Sequence, residues 1–409
     1  MKKLIALLLL LVWLASASDQ QLFVQIEEIV ADLSKITGLK PLKPVPHALI
    51  GKEEVKKFIA QRMKEELQPE ELRAEELALK KFGFVPQDFD LRQVTVELLT
   101  EQAAAFYDFR AKKLYVLDSS TSEMQQAALV HELAHALADQ HFHLEKYIAH
   151  ANENDDGAMA RLAVMEGQAT WLMSEYLARR MGTSLKTSPS IVQLMSSQAG
   201  DAAGQFPVFD KAPFYIRQSL LFPYTKGMLF QHALYEKDDQ AAFSEVFRRP
   251  PVSTQQILHP EKYFSGEKPT EPVLAQVNSR GEFRVLTDGS IGEFDHSVLL
   301  EQYTGREEAE AVAPRWRGGR FELLEHKKDG HTVLAYSSEW TDAAAAKQFF
   351  DLYRRVLKGK WTRMEVTTAQ QGLVGGRGDD GYFILRLEGA TVSSLEGLKA
   401  PAEAKETLR

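Results

Sequence analysis

The chain has 409 residues, a net charge of −8 and no cysteine. An acidic chain is repelled by nucleic acid and by anionic membrane surfaces, so neither is expected as a partner. Because cysteine is absent, thiolate metal sites and cysteine nucleophiles are excluded, and any metal must be held by His, Asp and Glu. The length exceeds one ordinary hydrophobic core and predicts two domains.

Residues 1–17 have the pattern of a secretory signal peptide. Lys2 and Lys3 precede an apolar run from Leu4 to Leu14, and residues 15–17 supply a small-residue cleavage site. The apolar run is short for a membrane-spanning helix, which makes an uncleaved N-terminal anchor the less favoured interpretation. No later stretch of the sequence is apolar over the length that a span requires. We therefore expect an exported protein, periplasmic or secreted, without a membrane span.

The next part of the chain predicts helices separated by short strands. An amphipathic helix is expected over residues 19–36, a short strand over 45–50 and one long charged helix over about 52–82. Residues 103–108 and 113–117 are rich in Phe, Tyr, Leu and Val and flank a turn. This pattern predicts a β-hairpin.

Two long helices are expected after the hairpin. Ser120, followed three residues later by Glu123, forms a capping box that predicts a helix running to about Phe142. Asp155 or Asp156 begins the second helix, which has an apolar face. Farther along the chain, polar loops are expected near 183–220, and a helix is predicted to begin at Pro223 and Tyr224.

Residues 131–135, His-Glu-Leu-Ala-His, form an HExxH motif within the first of these long helices. Residues four apart lie one turn above each other on one helix face, so His131 and His135 can occupy two corners of a tetrahedral zinc site. Glu132 is adjacent to that face, where its carboxylate can act as a general base toward water. Apolar residues precede the motif and indicate a buried helix, in which two His without a metal would need other polar partners.

A catalytic zinc site needs a third protein ligand and keeps its fourth position open. Glu166 is the best candidate, because an ionised carboxylate on an apolar helix face needs a partner. Gly167, the next residue, permits another helix to approach closely. Glu175, Asp155 and Asp156 remain alternatives toward the ends of the same helix.

Composition changes after about residue 270, and residues 271–398 are predicted to form a separate small α+β domain. Its aromatic residues recur at helical spacing, which is typical of core packing, and no catalytic residue types cluster in it. We interpret it as a substrate-docking, partner-binding or scaffolding module. Residues 399–409 are expected to be disordered. Within the domain we expect strands at 320–325, 332–340, 363–367 and 382–387, a helix capped by Thr341 and a glycine-rich turn at 375–378.

Together these motifs resemble the gluzincin family of zinc metallopeptidases, which includes thermolysin-like and aminopeptidase N-like enzymes. The HExxH helix followed by Glu-Gly-Gln-Ala at 166–169 is similar to exported bacterial members, and segments 105–108 and 114–116 resemble the hairpin whose edge strand lies above the metal. The resemblance covers about residues 95–265. It implies a mainly helical, zincin-like peptidase domain over residues 18–270 with a small edge-strand sheet, and hence an α+β fold for the chain.

The segment Tyr-Thr-Lys-Gly at 224–227 resembles the Y-x-K-G segment of aminopeptidase N-like enzymes, in which the Tyr stabilises the oxyanion. A phenol at the start of a helix near the metal, here that of Tyr224, can donate to a developing oxyanion. Packing in the core is its alternative role. His232 and His259 are further possible donors, although a structural role is favoured for both. Residues 253–263 also resemble the exported group, without an assigned role.

Three features differ from the family pattern. Glu166 follows His135 by 31 positions, more than in thermolysin-like enzymes, so the loop over 141–156 must fold back. Thr170 replaces the carboxylate that those enzymes place four residues after the third ligand, and Asp139 is the candidate to take over its role. The segment by which aminopeptidases bind a free N-terminus is absent, so exopeptidase activity is not supported.

We therefore predict an exported zinc metallopeptidase that acts as an endopeptidase on a peptide or protein substrate. In this hypothesis His131, His135 and Glu166 hold Zn²⁺, and Glu132 takes a proton from water and delivers it to the leaving amine. The strand at 114–117 would align the substrate backbone by strand addition. Two alternatives stay open: a zincin-fold binding or scaffold protein without turnover, and a zinc hydrolase of a non-peptide amide.

Overall fold

The computed structural model describes residues 19–66, 68–102, 105–117, 122–150, 154–198 and 206–404. The predicted signal peptide and the predicted capping residue Ser120 lie outside these ranges. Within them, no helix combines the length and the apolar character needed to cross a membrane. The α+β prediction is confirmed, because a mainly helical N-terminal region precedes a C-terminal antiparallel sheet.

Helices dominate the N-terminal region. Helix α5 (Ser122–Phe142) carries the HExxH motif, α7 (Asp155–Arg180) carries Glu166, and α10 (Phe214–Asp238) packs along α7. The other helices of this region are α1 (Asp19–Thr37), α2 (Lys52–Glu66), α3 (Pro69–Phe82), α4 (Leu91–Gln102), α6 (Leu144–Ala149), α8 (Pro189–Gln198), α9 (Pro207–Lys211), α11 (Ala242–Arg248), α12 (Thr254–Leu258) and α13 (Pro260–Ser265).

A three-stranded sheet packs against α5. Its strands are β1 (His47–Ile50), β2 (Ala105–Asp108) and β3 (Lys113–Leu117), in the order β1-β3-β2. Strands β2 and β3 form the predicted hairpin, and β1 pairs in parallel with β3. Because β3 is paired on both sides, the prediction that it binds a substrate by strand addition is wrong. Strand β2 is the edge strand in contact with α5.

Two predicted helix boundaries are wrong, and each of them involves a proline. The charged segment is two helices rather than one, because Pro69 begins α3 and the Glu71 carboxylate accepts from the N–H of Gln68. Pro223 lies inside α10 rather than at its start, although it removes a backbone hydrogen bond. The described part of 183–220, predicted as polar loops, contains α8, α9 and the first turns of α10.

Helices α7 and α10 approach each other closely at two glycines. A Cβ atom added to Gly167 would lie 2.1 Å from the backbone carbonyl carbon of Gly227. A Cβ atom added to Gly227 would lie 2.1 Å from the carbonyl oxygen of Ala163. Only glycine fits at either position, because the opposing atoms belong to helix backbone. The expected role of Gly167 in close helix approach is confirmed.

The C-terminal region contains the strands β4 (Phe283–Ser290), β5 (Trp316–His326), β6 (Thr332–Trp340), β7 (Glu365–Gln370), β8 (Leu373–Gly378), β9 (Gly381–Glu388) and β10 (Thr391–Leu398). They form one antiparallel sheet in the order β4-β5-β6-β10-β9-β8-β7. Helix α16 (Ala343–Lys360) packs against β6, β9 and β10. It is capped by Asp342, which accepts from the N–H of Ala345 at 2.9 Å, and not by the predicted Thr341. The other α-helices of this region are α14 (Glu293–Thr304) and α15 (Arg306–Val312).

Two predictions for this region are wrong. The glycine-rich turn at 375–378 is part of strand β8, where a Cβ atom on Gly376 would lie 2.0 Å from the carbonyl oxygen of Glu365. Close packing across the sheet, and not a turn, explains that glycine. Residues 399–404, the described part of the tail that was expected to be disordered, are ordered, and Ala404 forms a β-bridge with Val277.

The sheet packs against the helical region through the end of α3. The Phe82 ring makes edge contacts with Phe321 at 5.3 Å and with Tyr336 at 5.7 Å between ring centroids. The ammonium of Lys81 donates to the carbonyl of Thr332 at 3.1 Å. One hydrophobic core therefore continues across the composition change near residue 270.

We predict that Gly227→Ala lowers the free energy of unfolding by about 3 kcal/mol, because the methyl group would overlap backbone atoms of α7 that cannot rotate away. Urea denaturation followed by circular dichroism measures the change. Gly281→Ala is the control, since nothing lies within 4 Å of its added Cβ. Equal stability losses in the two variants would contradict the close approach of α7 and α10.

Candidate metal centre

His131 and His135 project from one face of α5 into the protein interior. They lie one helical turn apart, and each is 2% exposed. Their Nε2 atoms are 3.1 Å apart, and their ring planes are inclined at 82°. Two ring nitrogens that face each other at this distance can share one proton or one cation.

Glu166 reaches the same point from α7. Its Oε2 lies 3.0 Å from Nε2 of His131 and 3.4 Å from Nε2 of His135. Its Oε1 is buried and accepts no hydrogen bond from the described part of the chain. The ligand atoms of the three residues all lie within 4.8 Å of one another. The fold thus assembles a buried His–His–Glu group that can hold a metal ion, and we call these three residues the ligand group.

The charges within the ligand group are strongly coupled. Burial opposes ionisation of Glu166, but the neighbouring His135 and His131 outweigh it and lower the pKa of Glu166 to about 2. Burial also opposes a charge on His135, whose pKa is nevertheless raised by Glu166. At His131 burial prevails and lowers the pKa. A carboxylate charge is therefore retained in the protein interior, where a bound cation would stabilise it.

The other candidates for a third ligand lie outside this group. Glu175 accepts a hydrogen bond from Arg179 at 2.6 Å, and Asp156 accepts one from the N–H of Thr254 at 3.0 Å. Neither of them, nor Asp155, is among the metal-ligating groups formed by the described residues. Of the four carboxylates considered as the third ligand, Glu166 is the one that faces both imidazoles.

Glu132 lies beside the ligand group without belonging to it. It is 2% exposed, and its Oε2 accepts a hydrogen bond from the backbone N–H of Tyr107 at 2.8 Å. Burial raises the pKa of the Glu132 carboxyl to about 8, and the charge of Glu166 acts in the same direction. A cation in the ligand group would lower that pKa. The hydrogen bond from the Tyr107 N–H means that the main chain of edge strand β2 fixes the orientation of the Glu132 carboxylate.

Tyr224 reaches the ligand group from the interior of α10. Its ring stacks on the His131 ring with centroids 5.9 Å apart and planes inclined at 25°. Burial raises the pKa of the phenol well above its usual value, and the charges of Glu166 and Glu132 add to the effect. The phenol therefore keeps its proton and remains a hydrogen-bond donor. The prediction that a helix starts at Tyr224 is wrong, but the Tyr224 side chain does lie beside the ligand group.

Tyr107 in strand β2 contacts α5 and so connects this helix to the β2–β3 hairpin. The sequence did not indicate this role of Tyr107. Besides its backbone contact with Glu132, its hydroxyl donates to Asp139 at 3.0 Å, and Lys112 lies 2.8 Å from the same carboxylate. Within the described residues Asp139 makes no hydrogen bond to either His ligand, so it orients Tyr107 and not His135. The contact with Glu132 uses a backbone N–H, which every residue except proline has, so no residue type could have revealed it.

The two other His considered as donors have side-chain partners of their own. His232 accepts a hydrogen bond at Nδ1 from the indole of Trp171 at 3.2 Å. Nε2 of His259 lies 2.7 Å from Glu293 at the start of α14. These contacts fit the structural roles that the sequence favours for both residues.

Comparison with known proteins gives one match. A family model described as a domain of unknown function (DUF8575) matches residues 283–407, less than half of the chain. No curated protein and no solved structure matches significantly. The matched residues begin with strand β4 and span the antiparallel sheet, and they contain none of the residues of the ligand group.

We predict that Glu166→Gln removes one equivalent of divalent transition metal per chain, because an amide oxygen cannot replace the charged ligand. Metal content after reconstitution and gel filtration, measured by mass spectrometry, checks this. Glu175→Gln is the matched control, since Glu175 is equally buried on the same helix, and it should keep the metal. The opposite result would assign the third ligand to Glu175 and contradict the ligand group.

Proposed function

We propose that the protein is a zinc-dependent metallopeptidase in which His131, His135 and Glu166 hold the metal and Glu132 acts as general base. The observation that carries the proposal is the position of Glu132. Its carboxylate is buried and fixed beside the three ligands, yet it is not one of them. A binding or scaffold protein would gain nothing from this second buried carboxylate, which costs free energy to desolvate.

The donor set favours zinc among the divalent metals. Two imidazoles and one carboxylate are the protein ligands of one class of catalytic zinc site, in which one position stays open. Zinc bound in this way supplies Lewis acidity, polarising a carbonyl group and lowering the pKa of water. The same arrangement supports the resemblance to gluzincin peptidases, which rests on the HExxH motif and on Glu166.

Glu132 handles the proton in this proposal. The Tyr107 N–H holds Oε2, so the carboxylate has one orientation relative to the ligand group. Burial raises the affinity of Glu132 for a proton, and a cation nearby lowers it, so the two effects oppose each other at this carboxylate. The carboxylate accepts a proton from the attacking water and then delivers it to the leaving amine.

Tyr224 stabilises the negative charge that develops on the substrate carbonyl oxygen. Its phenol remains protonated and faces the ligand group. A preorganised donor is most effective in an environment from which water is excluded. The resemblance supports a peptide or protein as the substrate, and the signal-peptide pattern of residues 1–17 supports an activity outside the cytoplasm.

We predict that Glu132→Gln retains metal and fold but lowers the rate of peptide hydrolysis by about a hundred- to ten-thousand-fold, because the amide cannot accept the proton. The measurement pairs the turnover of a quenched-fluorescence peptide mixture with metal content. Glu166→Gln, tested alongside, should lose metal and activity together. Wild-type turnover in Glu132→Gln would rule out the general-base mechanism.

The role of Tyr224 is tested with Tyr224→Phe in the same assay. The ring that stacks on His131 remains, and only the donor is removed. We expect kcat to fall by about a hundredfold while metal content and KM change little. Unchanged kcat would mean that the Tyr224 ring serves packing alone.

A further inference from the structure

We propose that the β5–β6 hairpin holds a second divalent metal ion, with His326, Asp329 and His331 as its ligands. We call these three residues the hairpin cluster. It lies within the stretch matched by the family model, and it shares no residue with the buried ligand group. Its ligand atoms all lie within 4.8 Å of one another, the same limit that the ligand group meets.

The hairpin positions the three side chains without any change in the backbone. Oδ1 of Asp329 lies 3.0 Å from Nδ1 of His326 and 2.7 Å from Nδ1 of His331. The turn is closed by backbone hydrogen bonds of 2.9 Å from His326 to His331 and from Gly330 to His326. Gly330 has φ +71°, which other residues adopt at a cost. One carboxylate oxygen and two ring nitrogens therefore converge before any ion arrives.

The outer ring nitrogens have the surroundings of metal-bound imidazoles. Nε2 of His326 lies 3.6 Å from Glu282, and Nε2 of His331 lies 3.6 Å from Glu403. A His that binds metal through one nitrogen usually donates its other N–H to a carboxylate. Binding at both Nδ1 atoms would move each ring proton to Nε2, toward these two carboxylates. In the described residues, Nε2 of His331 is buried and has no hydrogen-bond partner.

The exposure of the hairpin cluster also allows a cation to enter. The side chain of Asp329 is 39% exposed and those of the two His are 13% and 15% exposed, so an ion and its water can enter from one side. Lys399 pairs with Oδ2 of Asp329, which leaves Oδ1 directed at the rings. Imidazole ligands select zinc, copper or nickel over calcium and magnesium. Because Glu403 faces Nε2 of His331 and belongs to the segment 399–404, a proton held at Nε2 by metal binding would strengthen the contact between that segment and the hairpin.

Isothermal titration of untagged, metal-stripped protein with zinc chloride tests the proposal. In the double variant His131→Ala/His135→Ala, which lacks the buried centre, we expect one zinc equivalent per chain. Adding His331→Gln or Asp329→Asn should reduce the affinity to about a tenth or less. His150→Gln is the matched control, because its imidazole is exposed on a helix end and, among the described residues, contacts a backbone carbonyl alone.

A wild-type background separates this proposal from that of the peptidase. There His331→Gln should lower the zinc stoichiometry by one equivalent while peptide hydrolysis and the buried equivalent remain. The variant Glu132→Gln should lose hydrolysis but keep the zinc equivalent bound at the hairpin cluster. Each proposal can therefore fail without the other. The hairpin proposal is overturned if His331→Gln and Asp329→Asn both bind zinc as their parent proteins do.

Discussion

An ionised carboxylate, Glu166, lies in the protein interior against two imidazole rings, and the rest of the centre depends on that contact. A buried charge is tolerated only with a partner of opposite charge or a metal. The rings of His131 and His135 supply part of that compensation, but Oε1 of Glu166 has no partner among the described residues. A divalent cation at this point would satisfy both rings and the carboxylate together.

The helices place these groups through contacts at the middle and at the N-terminal end of α7. Near Glu166, Gly167 and Gly227 let α10 approach until backbone meets backbone, which brings Tyr224 over the His131 ring. At the N-terminal end of α7, Asp156 accepts from the backbone N–H of Thr254, in the segment 253–263 for which sequence reasoning assigned no role. That segment also binds the C-terminal region, since Gln255 donates to Glu293. Helix α7 is thus held by α10 on one side and by the segment 253–263, which contacts the C-terminal region, at its N-terminal end.

Sequence reasoning succeeded where the signal was local. The HExxH helix, the β2–β3 hairpin and the choice of Glu166 beside Gly167 follow from periodicity and from the cost of a lone charge on an apolar face. It failed where tertiary packing outweighs local preference. Pro223 continues inside a helix, Gly376 belongs to a strand, and the contact of Tyr107 with Glu132 is made by a backbone N–H.

The most direct test of the account is the position of the metal itself. Crystals of the zinc-reconstituted protein should give anomalous difference density at the zinc absorption edge. The account predicts a peak at about 2.0–2.2 Å from Nε2 of His131, Nε2 of His135 and a carboxylate oxygen of Glu166, with Glu132 not coordinated. Absence of a peak between these three residues, or direct coordination by Glu132, would contradict it.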